Sequence, residues 1–395
     1  MKRFFSYTIL SFFLLLLPTG QASANNNDSI RLSLLTCAPG EEIYSLFGHT
    51  AIRYENSSQG IDVVFNYGLF SFNTPNFIFR FSLGETDYQL GATDYERFAA
   101  EYAFFGRSVW QQTLNLTDEE KTELIRLLQE NYRPENRVYR YNFFYDNCAT
   151  RPRDKIEESI AGKVIYPAEP QDGSLTFRDI VHQYCKGHPW ARFGIDLCIG
   201  SEADQPITQR QMMFAPFYLM DAFDGAQIKG DSIQRPLITA NELVVDATPE
   251  PDESDWMPTP LQCSLLLFIL TAAATIYGIR RRTGLWGIDL FLFGIAGIVG
   301  CVLAFLALFS QHPAVSSNFL LLVFHPGQLL FLPYIIYCVR KGKKCWYLTL
   351  NLAVLTLFIV LFPVIPQRFD FAVVPLALCL LIRSVSNLIV TSKKK

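Results

Sequence analysis

From about Pro260 to its end the chain carries five apolar stretches in succession, roughly 260–279, 286–309, 319–338, 346–365 and 371–390. Each is close to the ~20 residues that a bilayer-spanning helix needs, and none has the polar face that a helix on a soluble core would show. This feature divides the molecule: everything before Pro260 must fold on one side of a membrane. The composition agrees, because 50% hydrophobic and 18% charged residues is too apolar for one water-soluble domain.

The N-terminus indicates which side. "MKRFFSYTILSFFLLLLPTGQASA" combines two basic residues, a short apolar core and an Ala22-Ser23-Ala24 ending, the pattern of a signal peptide over residues 1–24. An exported domain is then expected over 25–247, an acidic, proline-rich linker over 248–259 and a transmembrane domain over 260–395. Export sends the first span inward, so Arg280–Arg282, "RKGKK" at 340–344 and the terminal "KKK" all fall in the cytoplasm. The outer loops carry a single basic residue, Arg368, and the positive-inside bias therefore gives the same topology, with a cytoplasmic C-terminus. The net charge of −3 adds nothing about partners, and no basic patch of the nucleic-acid type appears, so no nucleic-acid partner is expected.

Within the exported domain, "HTAIRYE" and "IDVVFNYG" flank the turn-forming "NSSQG" and predict a hairpin. "GRSVWQQTLNLT" predicts a further strand. Thr117 and Glu120 form a capping box before a helix with apolar residues at Leu124, Ile125, Leu127 and Leu128. "ATRPRDKIEESI" reads as another helix, with Pro152 tolerated in its first turn. Cys148 then sits at or just before a helix N-terminus, where the backbone dipole and free amides favour a thiolate.

A cysteine nucleophile needs a base. His49 starts a predicted strand and is the strongest partner, whereas His182 and His188 lie in later helical and loop sequence. Asn66 on the next strand is a candidate to orient the imidazole. A strand histidine, a polar residue on the neighbouring strand and a cysteine at a helix start make a papain-like arrangement. Here the histidine precedes the cysteine, the order of circularly permuted papain-like folds. Cys37, Cys148, Cys185 and Cys198 admit three disulfide pairings in an oxidising compartment, Cys185 with Cys198 being the expected structural bridge if one forms. No metal, nucleotide or redox-cofactor fingerprint is present, so no cofactor is expected.

"LFGHTAIRY", "FNYGLFSF", "GRSVWQQTLNLT" and "YNFFYDNCATRPRDKIEESI" resemble the N-terminal periplasmic domain of the Lnb-type bacterial lipoprotein N-acyltransferases. The likeness runs over roughly residues 30–225, including "GIDLCIGSEADQPIT" and "MFAPFYLMDAF", and the five-stretch tail matches the family's layout. It implies an α+β, permuted papain-like domain, related in plan to NlpC/P60 and lecithin:retinol acyltransferase proteins, followed by a five-helix α transmembrane bundle in the bacterial inner membrane. It also implies that Cys148 takes an acyl chain from a phospholipid as a thioester and passes it to the α-amine of a lipoprotein's diacylglyceryl-cysteine. His49 matches the family's catalytic histidine, and Asn66 as third member rests on strand order.

Arg151, Asn147 and Tyr67 are candidate substrate contacts near Cys148. His325 is another, about 10 Å beyond Asn318 at the outer end of the third span by helical rise, with Gln328 partly on the same face and Pro326 permitting a kink that frees a carbonyl. Its alternatives are lipid positioning and an interhelix hydrogen bond. Arg383 is expected to snorkel toward the inner interface. The phenylalanines at 72, 77, 79 and 81 either line an acyl path, dip into the interface or belong to the core. Two other functions use the same features: a membrane-anchored papain-like cell-wall peptidase or phospholipid hydrolase, and a non-enzymatic receptor or assembly factor in which Cys148 is structural.

Overall fold

The computed structural model describes residues 29–73, 75–168, 173–230, 234–247 and 257–392. The expected signal peptide, most of the expected linker and the last three lysines lie outside the described residues. In chain order the sheet-rich N-terminal domain contains β1 (Ile30–Cys37), β2 (His49–Asn56), β3 (Ile61–Leu69), α1 (Phe77–Leu83), β4 (Asp87–Asp94), α2 (Tyr95–Phe104), β5 (Val109–Leu114), α3 (Asp118–Tyr132), β6 (Val138–Arg140) and α4 (Thr150–Ser159). Its second part contains β7 (Lys163–Ile165), α5 (Phe177–Tyr184), α6 (Pro189–Cys198), α7 (Gln209–Met212), α8 (Pro216–Asp224), β8 (Gln227–Lys229), β9 (Gln234–Pro236) and β10 (Ile238–Val245). The apolar region follows with α9 (Pro260–Arg281), α10 (Trp286–Phe309), α11 (Pro326–Leu330), α12 (Leu332–Lys341), α13 (Trp346–Leu361) and α14 (Val373–Ser392).

Seven strands form one antiparallel sheet in the order β10-β5-β1-β2-β3-β4-β6. The β2–β3 hairpin turns through the "NSSQG" segment, and Thr117 and Glu120 cap α3 reciprocally, so both local signals are realised. β1 is covered on both faces, and the six residues "LSLLTC" are all buried, the polar Ser33 and Thr36 included. Leu32 and Leu34 pack with Ile52, Phe65 and Tyr67 beneath α3, α4 and α8, while Leu35 and Cys37 pack with Ala51, Val64 and Phe98 beneath α2. β7, β8 and β9 make a separate small sheet.

Three helices of the C-terminal region, α9, α10 and α14, are long and apolar enough to cross a membrane. The third expected span, 319–338, is broken: a 3-10 turn (Phe319–Leu322) and α11 meet α12 at a bend of 73°. Pro326 and Pro333 are the cause, since each lacks an amide proton and crowds the carbonyl four residues earlier. His325 is therefore the extended residue that caps α11, so the straight-helix spacing expected from Asn318 does not hold. Gly300 of α10 packs against this break so closely that an added Cβ would lie 2.4 Å from the His325 amide nitrogen.

Arg383 does not snorkel. It is buried and forks onto Asp289 at 2.7 and 3.1 Å, with Thr275 Oγ1 at 3.1 Å, because a guanidinium at membrane depth needs a counter-charge when one is in reach. α9, α10 and α14 are thereby tied together.

The domain is clamped to one end of the bundle. Asn318 Nδ2 donates to the Leu197 carbonyl at 2.7 Å, Gly200 N to Ala314 O at 2.6 Å, and Trp190 Nε1 to Pro258 O at 2.9 Å. Arg368 reaches Asp179, Asp204 and Thr176 at 2.5, 2.9 and 2.6 Å. Beneath it the fully buried Arg178 binds Asp196 and Asp204 at 2.6 and 2.9 Å and donates to the Ile199 and Gly200 carbonyls. His182, in the last turn of α5, bonds both Asp196 oxygens at 2.9 Å. The loops bearing Arg280–Arg282 and Arg340–Lys344 lie at the ends of α9 and α12, opposite the clamped end.

Candidate active site

The site is assembled at one end of the large sheet. Gly48 has φ of +76°, and a Cβ there would fall 2.5 Å from the Cys37 carbonyl oxygen, so only glycine makes this turn into β2. The next residue is His49, paired with Cys37 across the β1–β2 ladder. Side chains alternate along a strand, which puts His49 on the same face as Ala51 and Arg53, toward α2. The register Ala51↔Asn66 places Asn66 on that face too, and His49 Nε2 lies 3.2 Å from Asn66 Oδ1. An amide oxygen accepts, so Nε2 holds the imidazole proton and Nδ1 keeps a free lone pair. A shift of one residue in the β2–β3 register would turn Asn66 to the opposite face.

Cys148 reaches the same end of the sheet from the other direction. The segment before it is pinned by the reciprocal backbone bonds of Asn142 and Asp146 at 3.0 and 2.9 Å. Asn147 then bonds in four directions: its Oδ1 accepts from the Ala149 and Thr150 amides, and its Nδ2 donates to the Phe143 and Phe214 carbonyls. This buried amide starts α4 and sets Cys148 two residues before it. A Cβ on Gly68, which has φ of +90°, would touch the Cys148 Cβ at 3.5 Å, and the β2–β3 register continued by two residues brings Gly68 level with His49. The thiol lies in hydrogen-bonding reach of the Thr50 amide, its own amide and the Tyr141 hydroxyl.

The electrostatics differ from the helix-start expectation. Burial pushes the Cys148 thiol up to about 11, and the three donors reduce that rise without cancelling it. Burial likewise pushes His49 down to about 4; the Asn66 bond opposes the shift and the Arg107 guanidinium adds to it. At neutral pH the site thus rests as thiol and neutral imidazole, not as thiolate and imidazolium. The dipole at the start of α4 is worth less than the desolvation of the sulfur. Alkylation of Cys148 by iodoacetamide is accordingly expected to be slow at pH 7 and to accelerate until about pH 11. A rate that levels off near the ordinary thiol value of about 8.5 would contradict this, and mass mapping of the labelled peptide measures it.

All nine cysteines are free thiols, so neither the Cys185–Cys198 bridge nor a Cys37–Cys148 pair is formed. Cys37 is fully buried and its thiol is pushed up to about 12 by that burial, partly offset by a hydrogen bond with Tyr102.

The four expected substrate contacts are placed as follows. Arg151 forks onto Asp146 at 2.6 and 2.7 Å and lies 3.5 Å over the Tyr139 ring, so its donors are engaged within the protein. Asn147 has its whole amide committed to the loop described above and positions Cys148 instead of presenting a free polar atom. Tyr67 is fully buried in the core, its hydroxyl donating to Asn131 Oδ1 at 2.8 Å. His325 lies in the bundle, with Nε2 3.4 Å from Asn351 Oδ1, an interhelix contact. Sequence reasoning missed Tyr141 and the Thr50 amide. The alternation of Tyr139 on β6 with Tyr141 just past its end, leading to Cys148, was the available signal. Among the described residues no group of three His, Cys, Asp or Glu is arranged to hold a metal ion.

The phenylalanine-rich segment is not core. α1 buries no residue, and Phe72, Phe79 and Phe81 are exposed, because the helix stands off the sheet and faces α10 of the bundle.

Two family models match the chain: the Lnb N-terminal periplasmic domain over residues 20–182 and the Lnb transmembrane domain over residues 252–395. Curated proteins and solved structures gave no match.

Proposed function

Because the chain belongs to the Lnb family, carrying its periplasmic and transmembrane domains in that order, we propose that it is a cysteine-dependent lipoprotein N-acyltransferase. On this reading the N-terminal domain is a permuted papain-like catalytic unit on the periplasmic face of the inner membrane, with the C-terminus in the cytoplasm. The observation that carries it is the His49–Asn66 pair next in sequence to Thr50, whose amide reaches the Cys148 thiol, in a domain clamped to a membrane bundle. The basic loops at the bundle's far end support the orientation.

The chemistry proceeds in two halves. Asn66 holds the proton on Nε2, and Nδ1 takes the Cys148 proton as the sulfur attacks the ester carbonyl of a phospholipid. The oxyanion that forms is met by the donors around the sulfur, namely the Thr50 and Cys148 amides and the Tyr141 hydroxyl. Collapse breaks the carbon–oxygen bond, and the imidazolium returns its proton to the departing lysophospholipid oxygen. In the second half the α-amine of a diacylglyceryl-cysteine attacks the thioester carbon and gives a proton to His49. The carbon–sulfur bond breaks, the amide forms and the thiol is restored. Both lipid substrates are confined to the bilayer, so a catalytic unit fixed to its surface gains proximity to each.

The wild-type protein incubated with phospholipid and a diacylated lipopeptide should add one acyl chain to the peptide, read by mass. Free fatty acid without acylated peptide would favour a hydrolase, and no change in either lipid would favour a binding protein.

The protonation state of His49 makes a separate prediction. A base must be neutral, so kcat/KM for the phospholipid, which reports the thioester-forming half, should hold to about pH 4 before its acid limb falls, not to the ordinary 6.5. Between these values the unfolded chain binds a proton that folded His49 refuses. Stability should therefore fall as pH drops from 6.5 toward 4, and His49→Gln should flatten that slope in denaturant titrations. An acid limb near 6.5 would show a base in ordinary surroundings.

A further inference from the structure

α1 has an unusual position for an apolar helix. Ile78 is 80% exposed and Phe79 58% exposed, yet the helix is held firmly against the bundle. His312 Nε2 donates to the Phe81 carbonyl at 2.5 Å, and the Gln311 amide donates to the Leu83 carbonyl at 2.9 Å. Between α1 and α10 lies a groove of about 900 Å³, lined chiefly by Phe72, Phe77, Ile78, Phe79, Val302 and Phe305, with no charged side chain among its lining residues. Its α10 wall begins at Cys301, eight residues and about 12 Å from the helix end at Phe309, within the domain-side half of a helix long and apolar enough to cross a membrane.

The groove is joined to the thiol by aromatic rings in contact. Phe77 meets Phe72 at 5.1 Å, Phe72 meets Phe70 at 4.9 Å, Phe70 meets Tyr88 at 5.1 Å, and Tyr88 stacks on Tyr141 at 4.2 Å. Tyr141 is the residue whose hydroxyl reaches Cys148. An apolar row thus runs from the bilayer to the sulfur.

We propose that this groove holds an acyl chain of the donor phospholipid and that the Phe72–Phe70–Tyr88–Tyr141 row leads its carbonyl end to Cys148; the assignment rests on the acyl-transfer reading above. Wall chemistry favours an alkyl chain over a headgroup, since no lining side chain can neutralise a phosphate. The end point of the row favours the donor over the acceptor. Only the donor's chain becomes bonded to the sulfur, whereas the lipopeptide's own chains stay attached to its glycerol. The groove also opens to lipid along Val302, so a chain can enter sideways without leaving hydrocarbon.

The test uses the full chain as Cys148→Ala in vesicles containing phosphatidylethanolamine with a diazirine on one acyl chain. After photolysis, label should concentrate on peptides 72–82 and 301–306, well above bilayer-facing α9 residues such as Leu266 and Ile269. Filling the groove with Ile78→Trp and Val302→Trp, both exposed positions where bulk does not threaten folding, displaces a few methylenes and should lower that label by about tenfold. Donor label spread evenly over α9 and α10, label unchanged by both substitutions, or concentration of a diazirine-bearing diacylated lipopeptide in the groove would each overturn the proposal. Wild-type N-acylation is scored separately: groove labelling without transfer would keep the lipid site and remove the acyltransferase reading, and transfer without groove labelling would do the reverse.

Discussion

Replacing Cys148 by alanine is expected to abolish acyl transfer, with turnover falling by about 10⁵-fold or more, as when a covalent nucleophile is removed from a site whose other parts remain. The loss should come without unfolding. The geometry of the loop around Cys148 is held by Asn147 and by the Asn142–Asp146 backbone bonds, not by the thiol. Wild-type protein given phospholipid without an acceptor should gain the mass of one acyl chain on the peptide containing Cys148, labile to hydroxylamine, and the alanine variant should not. No neighbouring thiol can substitute, because Cys37 is sealed in the sheet and held protonated. Transfer that survives the substitution would exclude the thioester route while leaving family membership intact.

The second large effect concerns the clamp between domain and bundle. Arg178→Met should destabilise the full chain by about 3–5 kcal/mol, the usual cost of removing one member of a buried ion network. Asp196 would lose the Arg178 partner at 2.6 Å while remaining buried, and the Ile199 and Gly200 carbonyls would lose their donor. Those carbonyls sit in the segment that meets Ala314, Ser317 and Gln367, so disorder there would loosen the docking of the bundle. Arg210→Met is the matched control. Arg210 also bridges two carboxylates, Asp154 and Glu157, but with its side chain 51% exposed it should cost about 1 kcal/mol or less. Equal losses for the two variants in thermal unfolding would mean that burial of the Arg178 network is not what gives it weight.

These effects separate what can be read along the chain from what cannot. The hairpin, the Thr117–Glu120 capping box, the helix after Cys148 and the apolar stretches were legible because each depends on residues within a few positions of one another. The prolines at 326 and 333 were equally visible, and their consequence, a broken third stretch, follows from a missing amide proton and a crowded carbonyl at each. His49 and Cys148 could be paired from residue type and strand or helix position, and Asn66 from strand order.

The amino-acid sequence by itself determined the division into a sheet-rich domain and an apolar helical region, because periodicity and hydropathy are local properties. Tertiary structure alone decided the protonation state of the site: the desolvation that raises Cys148 and lowers His49 comes from side chains distant in sequence packing around them. It also paired Arg383 with Asp289 across 94 residues, committed Asn147 and Arg151 to internal partners, and left α1 facing α10 instead of entering the core. A charge finds its partner and an apolar side chain its cover only when the whole fold sets which surfaces meet, since burial and ion pairing depend on distances in space and not along the chain.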